Sequence, residues 1–481
     1  MITYDSLYVD GRWLAPVDPL PIDVHSASTE ELVGRAVGGG PADIDAAVGA
    51  ARRAFDDPTG WSTWDPAARA AALERFADEL VARGEDTATR VSLQNGMPIR
   101  ISRQVESTVP ATLLRYYADL VSKADIEEVR PSLVSGSTAV RREPIGVVGA
   151  IVPWNFPQTL TFFKLAPALA AGCTVVLKPA VETALDAQVV GEAAAAAQLP
   201  PGVINIVPGD GPGAGMRLVT HPLVDKVAFT GSTGVGRIIA EACGRLLRPV
   251  TLELGGKSAG ILLDDVDLGR AMKAMFAVTL LNSGQSCYVS SRILAPRNRY
   301  DEVVDAFTAL ASSVSVGDAL EESTVIGPLV SARQRDRVED YIARAVADGG
   351  RITTGGGRPA DNDRGWFVEP TIVADVHNDH TVAREEIFGP VLAVIPYEDD
   401  DDAVRIANDS NYGLAGTVWS SDVERGTAVA RRIQTGTVGV NGFTLDHGSP
   451  FGGIKDSGLG RELGPEGLAA YQQLKSIYLP R

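Results

Sequence analysis

The sequence predicts an α/β fold with two open, mostly parallel sheets and a small β extension. Three observations predict it. Short β-type runs alternate with Ala-rich helical stretches from Ile145 onward. The alternation restarts after Gly255, which puts a domain break near residues 254–256. Two further β-type segments, 130–142 and 476–480, fit neither alternation and read as exposed edges that pair between subunits.

In chain order, residues 8–13 carry Asp10-Gly11 between apolar residues and read as an early hairpin. Ile44, Ala47, Val48, Ala51 and Phe55 recur at helical spacing behind Asp43, a residue able to cap. Leu73, Phe76 and Leu80 put one apolar face on a second helix over 67–83. Strands follow at 146–152, 174–177, 203–207 and 226–229, with a helix over 185–198 among them. After the break, 258–263, 289–295 and 392–396 read as strands, and 300–313 and 331–348 as helices. No fixed-period repeat stands out.

Composition narrows the function classes. A chain of 481 residues has room for about three domain-sized units. A net charge of −17 argues against a nucleic-acid surface or an anionic membrane, both of which want clustered Lys and Arg. The acidic run 398–402 reads as a solvated loop. Three cysteines make no disulfide framework, so reduced thiols and a cytoplasmic location are expected. The first residues show no basic region followed by an apolar one, so no signal peptide is expected. The longest apolar stretch, 162–171, is interrupted by Lys164 and Pro167 and is too short to span a bilayer.

Five constellations bear on chemistry. Cys287 ends the run Leu281-Asn282-Ser283-Gly284-Gln285-Ser286-Cys287, with small polar neighbours that suit a helix cap. Cys173 and Cys243 lie in apolar surroundings and read as small core residues. Cys287 is either the nucleophile of covalent catalysis or an ordinary buried thiol. Glu253, in Thr251-Leu252-Glu253-Leu254-Gly255-Gly256-Lys257, is a lone carboxylate able to activate water. Asn155, in Pro153-Trp154-Asn155-Phe156-Pro157, lies between a strand and a helix; its amide either meets an oxyanion or makes a plain turn. Lys178 ends a strand, where a ligand contact and a solvated lysine compete. Gly231, Gly234 and Gly236 lie between a strand and a helix over 237–247, either as a phosphate-binding turn or as a plain glycine-rich one. His377 and His380 have ligand spacing but no second ligand pair, so no metal is expected. None of the five histidines lies near the Cys287 or Glu253 segments, which favours a carboxylate base.

Taken in order, these segments resemble one family over nearly the whole chain. The matching motifs are Pro153 to Pro157, Leu177-Lys178-Pro179, Phe229 to Gly236, Leu252 to Lys257, Gly284 to Cys287, Glu385 to Pro390 and Pro450 to Glu462. The chain is identified by them as a member of the NAD(P)-dependent aldehyde dehydrogenase superfamily. The resemblance implies two Rossmann-like domains: a cofactor-binding domain from 1–121 and 145–254, and a catalytic domain from 255–467. Segments 122–144 and 468–481 would bridge subunits of a homodimer or homotetramer. It implies oxidation of an aldehyde to its acid, with Cys287 as the nucleophile of a thiohemiacetal and then a thioester. Asn155 and the Cys287 amide would form the oxyanion hole, Glu253 would activate the hydrolytic water, and Lys164 and Glu462 would carry protons.

The implied cofactor is NAD, with NADP as the second possibility. Trp154, Lys178, Gly231, Ser232, Gly236, Glu386 and Phe388 stand at the family's cofactor positions. Many NAD-preferring relatives carry Glu three residues after the lysine, where this chain has Val181 followed by Glu182. Losing that carboxylate removes a hydroxyl acceptor and a repulsion against a 2′-phosphate. The expectation leans to NAD because no extra Arg sits nearby in sequence. Phe156, Leu160, Phe163, Ser286, Tyr288 and Leu445 stand at substrate-tunnel positions and are mostly apolar. They suggest a medium-sized hydrophobic or aromatic aldehyde. The alternatives are a relative that passes the acyl group to coenzyme A, and a non-catalytic binding homologue. Retention of Glu253 counts against the first, and retention of both Cys287 and Glu253 against the second.

Overall fold

The computed structural model describes residues 1–480. An eight-stranded sheet runs in the order Gly458–Leu459, Val250–Glu253, Lys226–Thr230, Val147–Ile151, Thr174–Lys178, Ile204–Ile206, Leu7–Val9 and Arg12–Leu14. Its middle strands are parallel, and the outer pairings at both ends are antiparallel. The pleat explains the unbroken apolar runs. Val148, Ala150, Val175, Leu177 and Ala228 pack into one core, while Val147, Ile151, Val176, Val227 and Phe229 pack into another. Strands of a parallel sheet are covered on both faces, so alternate residues serve opposite layers.

The Pro157–Ala171 helix fills the first layer, and every residue in it is buried. Such a helix is apolar nearly all round because it has no solvent face. Lys164 is its one charged residue and therefore needs a buried partner. The Pro66–Ala82 and Val109–Lys123 helices pack outside it.

A seven-stranded sheet follows in the order Arg351–Thr354, Thr371–Ala374, Val391–Tyr397, Ser290–Pro296, Ser258–Leu262, Gly416–Trp419 and Gly439–Val440. Only the Arg351–Thr354 strand is antiparallel. Two small sheets stand apart. Ile2–Thr3, Leu32–Gly38 and Leu20–His25 form one; Gln472–Leu479, Ser137–Pro144 and Glu127–Pro131 form the other. The mixed α/β architecture is the one the sequence predicts. Among the described residues, no helix is long and apolar enough to cross a membrane.

Local expectations are corrected at four places. Cys287 caps no helix: a short 3₁₀ turn, Leu281–Gly284, precedes it, with Asn282 and Ser283 left-handed at φ 50° and 57°. Those two residues turn the chain so that Cys287 feeds directly into the Ser290–Pro296 strand. The helix expected over 237–247 is Thr233–Arg245, so Gly234 and Gly236 belong to its first turns. The acidic run is not a loop. Asp399 accepts a hydrogen bond from the Asp402 amide and caps the Asp400–Asn408 helix, whose positive end suits Asp400, Asp401 and Asp402. The terminal strand spans Gln472–Leu479, longer than expected, because it pairs along the whole of Ser137–Pro144.

Candidate active site

Cys287, Glu253 and the glycine-rich turn come together: Gly231 donates to the Glu253 carbonyl and lines one cavity with Cys287, whose thiol feels the Glu253 charge. Glu253 ends its strand opposite Thr230, and Gly231 follows. Cys287 comes from the other sheet's side, half-buried in the turn before Ser290. The two sides touch closely: a Cβ on Gly256 would lie 2.2 Å from the Cys287 carbonyl. Only glycine fits there.

Burial dominates the electrostatics. It pushes the Cys287 thiol well above its ordinary pKa, and the Glu386 and Glu253 carboxylates push it the same way. The resting group is therefore a thiol that needs a base. Burial also raises Glu253 well above the usual carboxylate range; the Glu462 charge adds to the rise, and Lys164 and Arg461 oppose it. Neither Glu253 oxygen has a hydrogen-bond partner. Gly452, at φ 151°, leaves the space: a Cβ there would lie 2.5 Å from Glu253 Oε1. Unpartnered oxygens in a cleared space suit a group that takes a proton from water.

Behind Glu253 lies a buried ion pair. Lys164 Nζ donates to Glu462 Oε1 at 2.7 Å and to Thr230 Oγ1 at 2.6 Å. The Asn155 side chain is 3% exposed, and its Nδ2 donates to the Gln285 carbonyl at 3.0 Å. That leaves one amide hydrogen free.

A cavity of about 460 Å³ opens in front of Cys287. Trp154, Asn155, Leu160, Gly231, Ser232, Glu386 and Phe388 line it together with Cys287. Ser232 caps the Thr233–Arg245 helix, whose N-terminal amides and positive dipole end suit a phosphate. Glu386 Oε1 accepts from the Gly256 amide at 2.9 Å, and burial raises its pKa to about 7. A Cβ on Gly255 would lie 2.5 Å from Glu386 Oε2, so this glycine also makes room. Phe388, at φ 62°, meets the Trp154 ring edge-on at 5.3 Å. A larger cavity, about 940 Å³, lies between the Ser137–Pro144 strand and the body and contains none of these groups. The chemistry assigns the smaller one as the site.

Comparison with known proteins decides the family. Residues 13–477 match the model of the aldehyde dehydrogenase family. The chain belongs to the aldehyde dehydrogenase family. It is an NAD(P)-dependent dehydrogenase, the enzyme class its sequence predicts. The dehydrogenase is 56% identical to a geranial dehydrogenase of Castellaniella defragrans over 478 residues, 99% of each chain. It also resembles a Mycobacterium tuberculosis aldehyde dehydrogenase solved with NAD+, at TM-score 0.97 and 46% identity, covering 100% of this chain and 99% of that one. An aldehyde dehydrogenase C mutant of Pseudomonas syringae, solved with NAD+ and octanal, matches at TM-score 0.94 and 40% identity, over 98% and 96% of the two chains.

Within the dehydrogenase, not every expected residue reaches the cavity. Lys178 is buried and does not line it, donating to the carbonyls of Pro179 at 2.8 Å and Gly209 at 2.7 Å, with its pKa lowered by burial to about 8. Gly236 serves packing: a Cβ there would lie 2.5 Å from Leu254. Phe156, Leu160 and Phe163 belong to one apolar cluster, against which Cys287, Tyr288 and Leu445 pack. The Tyr288 and Phe443 rings stack at 5.2 Å. Ser286 is buried at the same turn.

The expectation of no arginine near Val181 is corrected. Arg333 Nη2 lies 3.3 Å from Glu182 Oε1. Arg333, Gln334 and Arg337 all line the cavity. Gln334 Nε2 donates to the Phe388 carbonyl at 2.8 Å, and Arg337 Nη2 to the Glu386 carbonyl at 2.7 Å. Sequence reasoning passed over these three because they sit on an amphipathic helix, Ala332–Ala347, whose polar face reads as solvated. Val181 packs with Ile22, Val24 and Leu185. Among the described residues, no group of three or more His, Cys, Asp or Glu is placed to hold a metal, and His377 and His380 pair with each other across rings 5.3 Å apart.

Proposed function

We propose that this dehydrogenase oxidises a medium-sized apolar aldehyde to its carboxylic acid through a Cys287 thioester, with NAD as the hydride acceptor. The observation that carries the reading is that Cys287 and Asn155 line one cavity, with Glu253 near enough for its charge to act on the thiol and with Cys287 packed against the apolar cluster of Phe156, Leu160 and Phe163. The name of the geranial relative and the octanal in the Pseudomonas syringae structure support an apolar substrate. NAD+ in two of the similar structures supports the cofactor.

The residues present fit a dinucleotide. Glu386 is a carboxylate held by one backbone amide with acceptor capacity to spare for ribose hydroxyls. Ser232 and the helix it caps suit the pyrophosphate, and the Lys178 ammonium retains a third hydrogen for a ribose oxygen. The bound nicotinamide supplies the hydride acceptor. The chain does the rest. Cys287 gives its proton to a base as its sulfur bonds the carbonyl carbon, and the new oxyanion meets Asn155 Nδ2 and the Cys287 amide. Loss of hydride leaves the thioester. Glu253 then takes a proton from the attacking water, and Glu462 and Lys164 stand behind it to pass that proton on.

Residues 1–121 and 145–254, which supply seven of the eight strands of the first sheet, serve as the cofactor-binding domain, and 255–467, which adds the edge strand Gly458–Leu459 to that sheet, as the catalytic one. Segments 122–144 and 468–481 join subunits of a homodimer or homotetramer. Glu127–Pro131 is exposed throughout, and Leu133, Val134, Leu474 and Tyr478 stand in solvent. Such edges and apolar surface favour a partner.

Turnover of geranial, octanal, benzaldehyde and succinic semialdehyde with NAD and NADP, followed by absorbance of the reduced cofactor, tests the reading. The apolar aldehydes should lead in kcat/KM with NAD. A wide lead for the semialdehyde would overturn the substrate assignment.

A further inference from the structure

Two amide side chains from two separate segments converge on Asn155. Asn95 ends the Gly84–Asn95 helix, which Gly96 terminates at φ 79°, and it is fully buried. Its Nδ2 donates to the Trp154 carbonyl at 3.0 Å and to the Asn155 carbonyl at 3.2 Å. Its Oδ1 accepts from the Met97 amide at 2.9 Å, which fixes its orientation. Asn282 Nδ2 donates to the same Asn155 carbonyl at 3.0 Å. The Asn155 carbonyl therefore has an amide donor for each of its two lone pairs.

The Asn155 side chain is tied as firmly. One Nδ2 hydrogen goes to the Gln285 carbonyl. Gln285 in turn donates its own amide to the Asn282 carbonyl at 3.0 Å, and its Oε1 accepts from the Val330 amide at 3.0 Å. With the peptide plane and one amide hydrogen fixed, the direction of the second hydrogen is set. It belongs to the residue that lines the cavity beside Cys287.

The backbone at Asn282 bears a cost for this arrangement. Asn282 and Ser283 both hold left-handed conformations, which asparagine tolerates better than most residues and serine does not. Strain of this kind persists where surrounding contacts over-determine it, and it clusters at active sites. A plain buried asparagine needs only its own hydrogen bonds satisfied. Here Asn282 Oδ1 has no partner, so the residue's one side-chain bond is the one to Asn155.

We propose that Asn95 and Asn282 are positioning residues, which hold Asn155 so that its free amide hydrogen meets the oxyanion on the carbonyl carbon bonded to Cys287. The inference rests on the reading of Asn155 as the oxyanion donor. Misplacement of a catalytic group by about 1 Å can cost about a hundredfold in rate, so small shifts at Asn155 matter.

The test uses full-length Asn155→Ala, Asn95→Ala, Asn282→Gly and the Asn155→Ala/Asn95→Ala double variant. Glycine keeps the left-handed backbone at 282 and removes only the side chain. Two rates are read on each: hydride transfer in a single turnover with NAD and octanal, and alkylation of Cys287 by iodoacetamide. Alkylation displaces iodide from a saturated carbon and builds no oxyanion. Asn155→Ala should slow hydride transfer by about 10²–10³-fold. Asn95→Ala and Asn282→Gly should slow it by about tenfold to a hundredfold, with alkylation unchanged. The double variant should be no slower than Asn155→Ala alone, because a misplaced side chain that is absent costs nothing. An additive loss in the double variant, or a parallel fall in alkylation, would show general damage to the loop and overturn the inference. Loss in Asn155→Ala with none in the other two would overturn it alone. Full turnover in Asn155→Ala would overturn the oxyanion reading as well. Should Asn95→Ala fail to fold, Asn282→Gly and its combination with Asn155→Ala carry the same comparisons.

Discussion

The Lys164 ammonium lies 2.7 Å from the Glu462 carboxylate, and the two side chains are 0% and 2% exposed. A buried pair of this kind is costly to assemble and costlier to break. Its value here lies in what faces it. Glu462 raises the pKa of Glu253 and Lys164 lowers it, so the pair balances the proton affinity of the group proposed to activate water.

That balance predicts opposite shifts from its two halves. Lys164→Met removes the opposing charge, so Glu253 stays protonated to higher pH and the acid limb of kcat moves up by about a unit or more. Glu462→Gln removes the like charge, and the limb moves down. Lys164→Met should also cost about 3–5 kcal/mol of stability, because Glu462 is left buried and unpaired. The kcat–pH profiles and denaturant midpoints of both variants check this. Shifts in one direction for both would refute it.

The Glu182–Arg333 pair bears on cofactor choice. Glu182 is the carboxylate whose charge acts most strongly on Lys178, whereas Val181 faces an apolar cluster. Glu182→Ala removes a repulsion against a 2′-phosphate and frees Arg333 to meet it. The ratio of kcat/KM for NAD over NADP should fall by about tenfold or more, the worth of one charge-assisted hydrogen bond. Arg333→Ala should raise the ratio. Steady-state kinetics with both cofactors decide the matter, and an unchanged ratio in both variants would place the pair away from the ribose.

How far the sequence revealed this site follows from where each residue lies. Cys287, Glu253, Asn155 and Lys178 stand at strand ends or turns beside small residues, and such positions show in a linear pattern. The central strands of both sheets were legible as apolar runs, but Arg351–Thr354, Thr371–Ala374, Gly416–Trp419 and Gly439–Val440 of the second sheet were not, being short or mixed in polarity. Arg333, Gln334 and Arg337 were not, because a polar helix face looks the same whether it meets water or a cleft. Asn95 was invisible for a related reason: its function lies in contacts to residues about sixty positions away, and nothing local marks them. The left-handed pair at 282 and 283 also left no mark, so the turn before Cys287 read as a helix cap.

Stability should depend on pH through a buried pair outside the site. Burial raises the Glu106 carboxyl from its ordinary value to about 8 and that of Asp186 to about 7. A carboxyl raised in the folded state binds a proton that the unfolded chain has already lost. Stability is therefore fully present below about pH 4 and declines as pH rises through the folded values, at about 1.4 kcal/mol per proton per unit. Glu106→Gln keeps an acceptor for the Gln158 amide and turns its NH2 to the Thr159 hydroxyl, which can accept; it removes one titrating group and should flatten the decline. Thermal melts from pH 5 to 9 would show it, and a wild-type melting temperature that rises across this range would contradict it.

The two halves of the proposed chemistry separate in a pair of variants. Cys287→Ala should abolish oxidation, because no carbon–sulfur bond forms and no hydride is released. Glu253→Ala should behave otherwise. Its carboxylate is unpartnered and placed for water, so the first hydride transfer should survive while hydrolysis stalls. Rapid mixing should show a burst of reduced cofactor near one equivalent per site, then turnover slowed by about 10²–10⁴-fold, the usual worth of a general base. The acyl group should appear as a mass increment on the peptide carrying Cys287. The raised thiol pKa adds a second consequence. If Glu253 also takes the Cys287 proton, the burst slows without shrinking, and its rate climbs with pH as the thiolate fraction grows. A folded Glu253→Ala protein that binds cofactor yet shows neither burst nor acyl adduct at any pH would place Glu253 before hydride transfer and remove it from hydrolysis.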